Sequence, residues 1–192
     1  PYVYDNVVKI IFPVKVSDWH ECASHGKVLA QHFANARQDS FTHLDPALDF
    51  WLWIDADDVV EGAEHLAELC EGLPADAGGA WFKYEYASLV RADGQRQVNT
   101  LFHRERLLRT HMNGEPVRWT WSGRVHETVA PDRDARWVVN DDIRVVHQQG
   151  RHDTPSSAIR NLLLLEIDYE DDPTSARTTF YLGNQHFAMG NW

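Results

Sequence analysis

A chain of 192 residues has room for one substantial domain and a small appendage. Its net charge of −11, from 18 basic and 29 acidic residues, argues against a general nucleic-acid binder. For the same reason, any phosphorylated ligand would need a metal or local arginines to offset repulsion. No apolar run reaches membrane-spanning length, and the first residues lack the basic-then-apolar layout of a signal peptide. Cys22 and Cys70 form neither a CxxC pair nor a dense framework. A reducing, cytoplasmic setting is therefore expected.

Taken in order, residues 7–16 (VVKIIFPVKV) predict a strand, with Pro13 favouring an edge or a bend. Residues 17–26 are polar and irregular, and 27–44 follow with Val28, Leu29, His32, Phe33 and Ala36 at helical spacing. Asp45-Pro46 breaks that helix. Residues 50–54 (FWLWI) are an unbroken apolar run, which predicts a central strand buried on both faces. The run stops at Asp55-Ala56-Asp57-Asp58. Carboxylates so closely spaced repel one another and solvate strongly, so they are expected at the mouth of the sheet rather than in its core. Asp55 and Asp57 are candidate ligands for a hard divalent cation that bridges phosphate oxygens.

Beyond the acids, 61–73 carries Ala63, Leu66, Leu69, Cys70 and Leu73 at helical spacing. Residues 80–90 and 98–108 read as the arms of a hairpin turning at Ala92-Asp93-Gly94. The stretch 111–117 is turn-like, and 118–129 is dense in polar and aromatic groups. Residues 137–139 and 143–147 predict two short strands joined through Asn140-Asp141-Asp142, the second closing on His147. From residue 154 the pattern is helical, with Ser156 or Ser157 as cap and a core stripe of Ile159, Leu162, Leu163, Leu165 and Ile167. Asp171-Asp172-Pro173 then punctuates, and 176–189 completes an αα-hairpin. Strands and helices alternate to about residue 75 and strands dominate afterwards, the order of a mixed α/β sheet.

Four stretches together resemble a family 2 glycosyltransferase of the GT-A fold, of the branch in which tetratricopeptide helices follow the catalytic domain. They are His32-Phe33-Ala34-Asn35-Ala36-Arg37-Gln38; the strand and acidic turn from Trp51 to Asp58; Leu101-Phe102-His103-Arg104 through Arg109 to Trp121-Ser122-Gly123-Arg124-Val125-His126-Glu127; and Phe180-Tyr181-Leu182-Gly183 with Gly190 and Trp192. The third is the most specific, a Trp-x-Gly-x-Val-His-Glu motif at the expected distance after a DxD. Residues 1–30 hold no match to that family's base-binding Asp-Thr-Gly-Ser-x-Asp-Gly-Thr segment, and Gln38 stands where asparagine is usual. A shortened or divergent form is expected.

The resemblance implies a GT-A-like, Rossmann-related α/β domain over residues 1–153 and a helical hairpin over 154–192, the start of a tetratricopeptide-like repeat that binds a protein partner. It implies metal-dependent, inverting transfer of a sugar from a nucleotide-diphosphate donor to a sugar, lipid or protein acceptor. Asp55, Asp57 and His147 would hold Mn²⁺ or Mg²⁺, and Glu127 would take the acceptor's proton. Arg37, Asp55, Arg104, Trp121 and His126 would contact substrate. Arg109 and Arg124 are further candidates for the diphosphate. On a strand, His126 and Glu127 would face opposite ways, so both serve one site only from a loop.

Two rival readings stand beside it. Asp55-Ala56-Asp57-Asp58-Val59 also fits the nucleophile motif of haloacid-dehalogenase-type phosphatases, with Asp141-Asp142 as the downstream acids and Lys83 as the one lysine after Asp57. A non-catalytic scaffold or fragment that retains the fold is the other.

Overall fold

The structure is a computed structural model that describes residues 33–45, 47–148 and 155–190. The strand expected at 7–16 and the start of the helix expected at 27–44 lie outside the described residues. In chain order the elements are α1 (Phe33–Phe41), β1 (Phe50–Leu52), β2 (Asp58–Glu61), a single 3₁₀ turn (Ala63–His65), α2 (Leu66–Gly72), β3 (Ala77–Val90), β4 (Arg96–Arg109) and β5 (His111–Met112). There follow β6 (Glu115–Pro116), β7 (Trp119–Ser122), β8 (Thr128–Pro131), β9 (Arg136–His147), α3 (Pro155–Asp171) and α4 (Ala176–Ala188). The chain divides into two compact units, one of Asp45–Thr120 and 130–148, the other of 33–44, Trp121–Val129 and 155–190. Within the second of these, the helical hairpin groups with α1 and the 121–129 segment.

The first unit is built on a mixed five-stranded sheet in the order β1-β4-β3-β9-β2. β3 and β4 are the long antiparallel hairpin that the alternating pattern implied, closed by Arg91 N–H to the Gln95 carbonyl at 2.9 Å with Gly94 at φ +81°. β9 runs parallel to β3 and antiparallel to β2. Ala80, Phe82 and Tyr84 alternate along one face of β3 and meet Leu107, Ile143 and Val145, with Leu66, Leu69 and Cys70 of α2 packed against them. Architecture of this kind is mixed α/β with flanking helices.

Three local expectations change. The aromatic strand is shorter than its apolar run, Phe50–Leu52, and among the described residues pairs with β4 alone; Leu52 and Ile54 are exposed rather than buried. The acidic turn runs into a strand, β2, and not directly into a helix. Gly62 ends that strand at φ +77°, where an added Cβ would meet the Asp142 carbonyl oxygen at 2.2 Å, so the helical pattern begins only after it. Finally, 136–147 is one strand, not two. Between Asn140, opposite Phe82, and Arg144, opposite Lys83, the ladder bulges. The Asn140 side-chain oxygen accepts the N–H groups of Asp142 and Ile143 at 3.1 and 2.9 Å, supplying the partners that the bulge removes.

In the second unit, α3 and α4 form the αα-hairpin, tied by Gln185 Nε2 to the Ala158 carbonyl at 3.2 Å. Ser175 caps α4 by accepting the Thr178 N–H at 3.2 Å. α3 starts at Pro155, a residue suited to a first turn, so Ser156 and Ser157 lie inside the helix instead of capping it. Leu164 and Leu165 are buried with Val125, and Phe33, Tyr181 and Leu182 pack against them. None of the described helices is long and apolar enough to cross a membrane.

Candidate metal centre

Chain connectivity brings the acidic turn against the end of β9. The Trp53 N–H donates to the Arg106 carbonyl at 3.1 Å, which carries the β1–β4 pairing one step further. Asp58 N–H then donates to the Asp55 carbonyl at 3.0 Å and closes the turn. As the first residue of β2, Asp58 lies opposite His147 in the antiparallel ladder, so the two side chains share a face. The Gln148 N–H donates to the Asp57 carbonyl at 2.9 Å and holds the turn in register. In this arrangement Asp57, Asp58 and His147 each offer a ligand atom, all within 4.8 Å of one another.

Asp58 is the interior member. Its side chain is fully buried, and so is that of Arg106, whose guanidinium stands 3.2 Å from Asp58 Oδ2. The guanidinium carbon lies 3.9 Å from the Trp53 ring centroid and 4.3 Å from that of Tyr84, two aromatic faces that hold the cation. The Asp55 N–H donates to the same Oδ2 at 3.2 Å, while Tyr84 hydroxyl donates to Oδ1 at 3.4 Å. Burial raises the Asp58 carboxyl above the usual range; Arg106 opposes this and the Asp55 charge adds to it. Burial, then the Asp58 charge, pushes the Tyr84 phenol up, so it stays a protonated donor.

His147 faces both carboxylates through one nitrogen, Nδ1, at 3.3 Å from Asp58 Oδ1 and 3.7 Å from Asp57 Oδ1. Its ring is nearly parallel to that of Tyr86, with centroids 5.5 Å apart. A lone pair cannot face two carboxylates without something positive between them. Either a proton on Nδ1 or a cation meets that need. Two carboxylates and an imidazole are a donor set that suits Mn²⁺, and Mg²⁺ less well. Three protein ligands leave half of an octahedral shell for other oxygens.

Of the predicted ligands, Asp57 and His147 therefore come together, while Asp55 lies outside the group. Its place is taken by Asp58, which, like the other acids of the turn, was expected at the solvent-facing mouth of the sheet. The reason is Arg106, a buried countercharge on β4 that nothing in the local sequence set apart from its neighbouring arginines. Arg104 lies over the Trp53 ring at 5.4 Å and beside Glu105 at 3.3 Å. Arg109 donates to the Leu73 carbonyl at 3.0 Å on the α2 side of the sheet. Lys83 pairs with Asp141 at 3.2 Å. Trp119 is buried and donates to the Arg109 carbonyl at 2.8 Å.

The second unit holds the remaining predicted residues. The segment between β7 and β8 is a loop, as joint use of His126 and Glu127 required. His126 has φ +55°, its ring stacks on Tyr181 at 4.4 Å, and its carbonyl accepts from Arg177. Arg37 Nε stands 3.9 Å from Glu127 Oε2 and the same guanidinium lies 5.2 Å from the Trp121 ring. Trp121 is buried, packs on Phe41, and donates its backbone N–H to Gln38 Oε1 at 2.9 Å. At 5 % exposure its indole offers a ligand little surface. Arg124, far from being available to a phosphate, bridges Asp168 and Asp171 of α3 at 2.5 and 2.8 Å and anchors the loop.

The chain matches no family model and no curated protein.

Proposed function

We propose that the chain is a metal-dependent glycosyltransferase of GT-A type that moves a sugar from a nucleotide-diphosphate donor to a sugar, lipid or protein acceptor, with inversion, in the cytoplasm. The observation that carries this reading is the meeting of Asp57, Asp58 and His147 at the end of the tryptophan-rich strand. The Trp-x-Gly-x-Val-His-Glu motif downstream supports it.

Asp57, more than half exposed, presents its carboxylate outward, and His147 presents an imidazole steadied by Tyr86. Asp58 orients the turn through four polar contacts. Bound there, Mn²⁺ or Mg²⁺ would offset charge on a departing diphosphate. Arg104, on the neighbouring strand, is the arginine assigned to the donor phosphates. Glu127 takes the proton of the attacking acceptor group, and Arg37 beside it orients that carboxylate. Ile159, Leu163, Phe180 and Phe187 are exposed on the helical hairpin and give it an apolar surface for a protein partner.

Calorimetric titration with UDP- and GDP-sugars in the presence of Mn²⁺ tests the reading. Wild type should bind at least one donor, Asp57→Ala should lose the metal-dependent part of that binding, and Glu127→Gln should bind but turn over at least about a hundredfold more slowly. Intact metal-dependent binding by Asp57→Ala defeats the cation assignment; full turnover by Glu127→Gln defeats the base.

A further inference from the structure

A charge that no ligand can touch sits directly behind this centre. Arg106 is 1 % exposed and its guanidinium is held against Trp53 and Tyr84. One terminal nitrogen meets Asp58 Oδ2, and among the described residues the buried Nε has no hydrogen-bond partner. Such a group cannot swing out to a substrate phosphate. It acts on the site only through Asp58.

We propose, resting on the cation reading above, that Arg106 is a positioning residue that locks Asp58 in place and cancels its charge, so that the centre discriminates against a bare divalent ion in favour of one carried on a di- or triphosphate. The argument is electrostatic. Without Arg106, the carboxylates of Asp57 and Asp58 would form a doubly negative pair, with Asp55 adding to the field. A site of that kind draws divalent ions from solution unaided. With the guanidinium 3.2 Å from Asp58, the pair retains a single negative charge, and only Asp57 is well exposed. A bare ion then loses more hydration than these ligands replace. A cation already neutralised by phosphate oxygens demands less of the protein and fills its remaining coordination positions from its own anion.

Purified chain should be titrated with MnCl₂ alone and with preformed Mn²⁺–pyrophosphate, followed by calorimetry and by loss of the free Mn²⁺ paramagnetic resonance signal. Wild type should bind the complex at least about tenfold more tightly than the bare ion. Arg106→Gln should bind bare Mn²⁺ about tenfold more tightly than wild type. Arg106→Lys, which keeps the charge, should stay near wild type. A purely structural arginine gives the opposite sign, since a loosened Asp58 weakens the ion's binding. Folded Arg106→Gln that binds bare Mn²⁺ no better than wild type overturns the proposal. Should that variant fail to fold, the wild-type comparison decides: equal affinity for ion and complex removes the role of Arg106 but leaves the cation site standing. If wild type binds neither form, the cation reading and this inference fall together.

Discussion

Replacing Asp58 with alanine should be far more costly than replacing either of the other two ligands. The side chain is fully buried against Arg106 at 3.2 Å, so its removal strands a guanidinium that is 1 % exposed and cannot shed its proton. Breaking a buried pair from one side costs roughly 3–5 kcal/mol, and a domain of this size loses about 2–4 °C in Tm for each kcal/mol. A fall of about 10 °C is therefore expected. Arg106→Met should be milder, because methionine keeps an apolar stem between Trp53 and Tyr84 and the Asp58 carboxylate keeps its hydrogen bonds from the Tyr84 hydroxyl and the Asp55 N–H. The double variant removes both charges and should recover at least about 1 kcal/mol relative to the summed single losses. Urea denaturation followed by tryptophan fluorescence, with calorimetry in parallel, measures all three. The reasoning is refuted if the single losses add to within about 0.5 kcal/mol, or if Asp58→Ala costs less than about 1 kcal/mol.

Two further outcomes bear on the frame around the site. Gly62→Ala sets a Cβ 2.2 Å from the Asp142 carbonyl oxygen in a φ +77° conformation, and should cost about 2 kcal/mol or more; an unchanged urea midpoint would show that the β2 turn relaxes freely. Arg96 donates to both oxygens of Glu61 at 2.9 and 3.1 Å, and those hydrogen bonds hold the Glu61 carboxyl below its ordinary value of 4.5. Glu61's share of stability is thus present above pH 4.5 and lost as pH falls through its folded pKa. Arg96→Gln should flatten the acid limb of the stability curve below that pH, and an unaltered limb would reject the assignment.

Much of the skeleton was legible in the sequence. Alternation in 80–90 and 98–108 around Ala92-Asp93-Gly94 marked the long hairpin, because side chains on a strand take opposite faces at every step. Leucines at helical spacing marked α3 through the helical repeat but not its buried face: Ile159 and Leu163 of the expected core stripe are exposed, and Leu164 is buried beside Leu165. Asp57 stood out as an acid immediately after an aromatic run, and His147 as a histidine at a strand's end. Each of these signals lies within a dozen neighbouring residues.

What decided the centre was pairing between distant parts of the chain. Asp58 and His147 are 89 residues apart, and they meet because β2 lies in one register on β9, itself shifted by the bulge at Asn140. Asp58 could enter the interior only because β4 brings Arg106 beneath it, which reversed the expectation that every acid of the turn would stay in water. Local composition sets each residue's appetite for water, but whether that appetite is met by solvent or by a buried opposite charge depends on strand order, and strand order is written in no single segment.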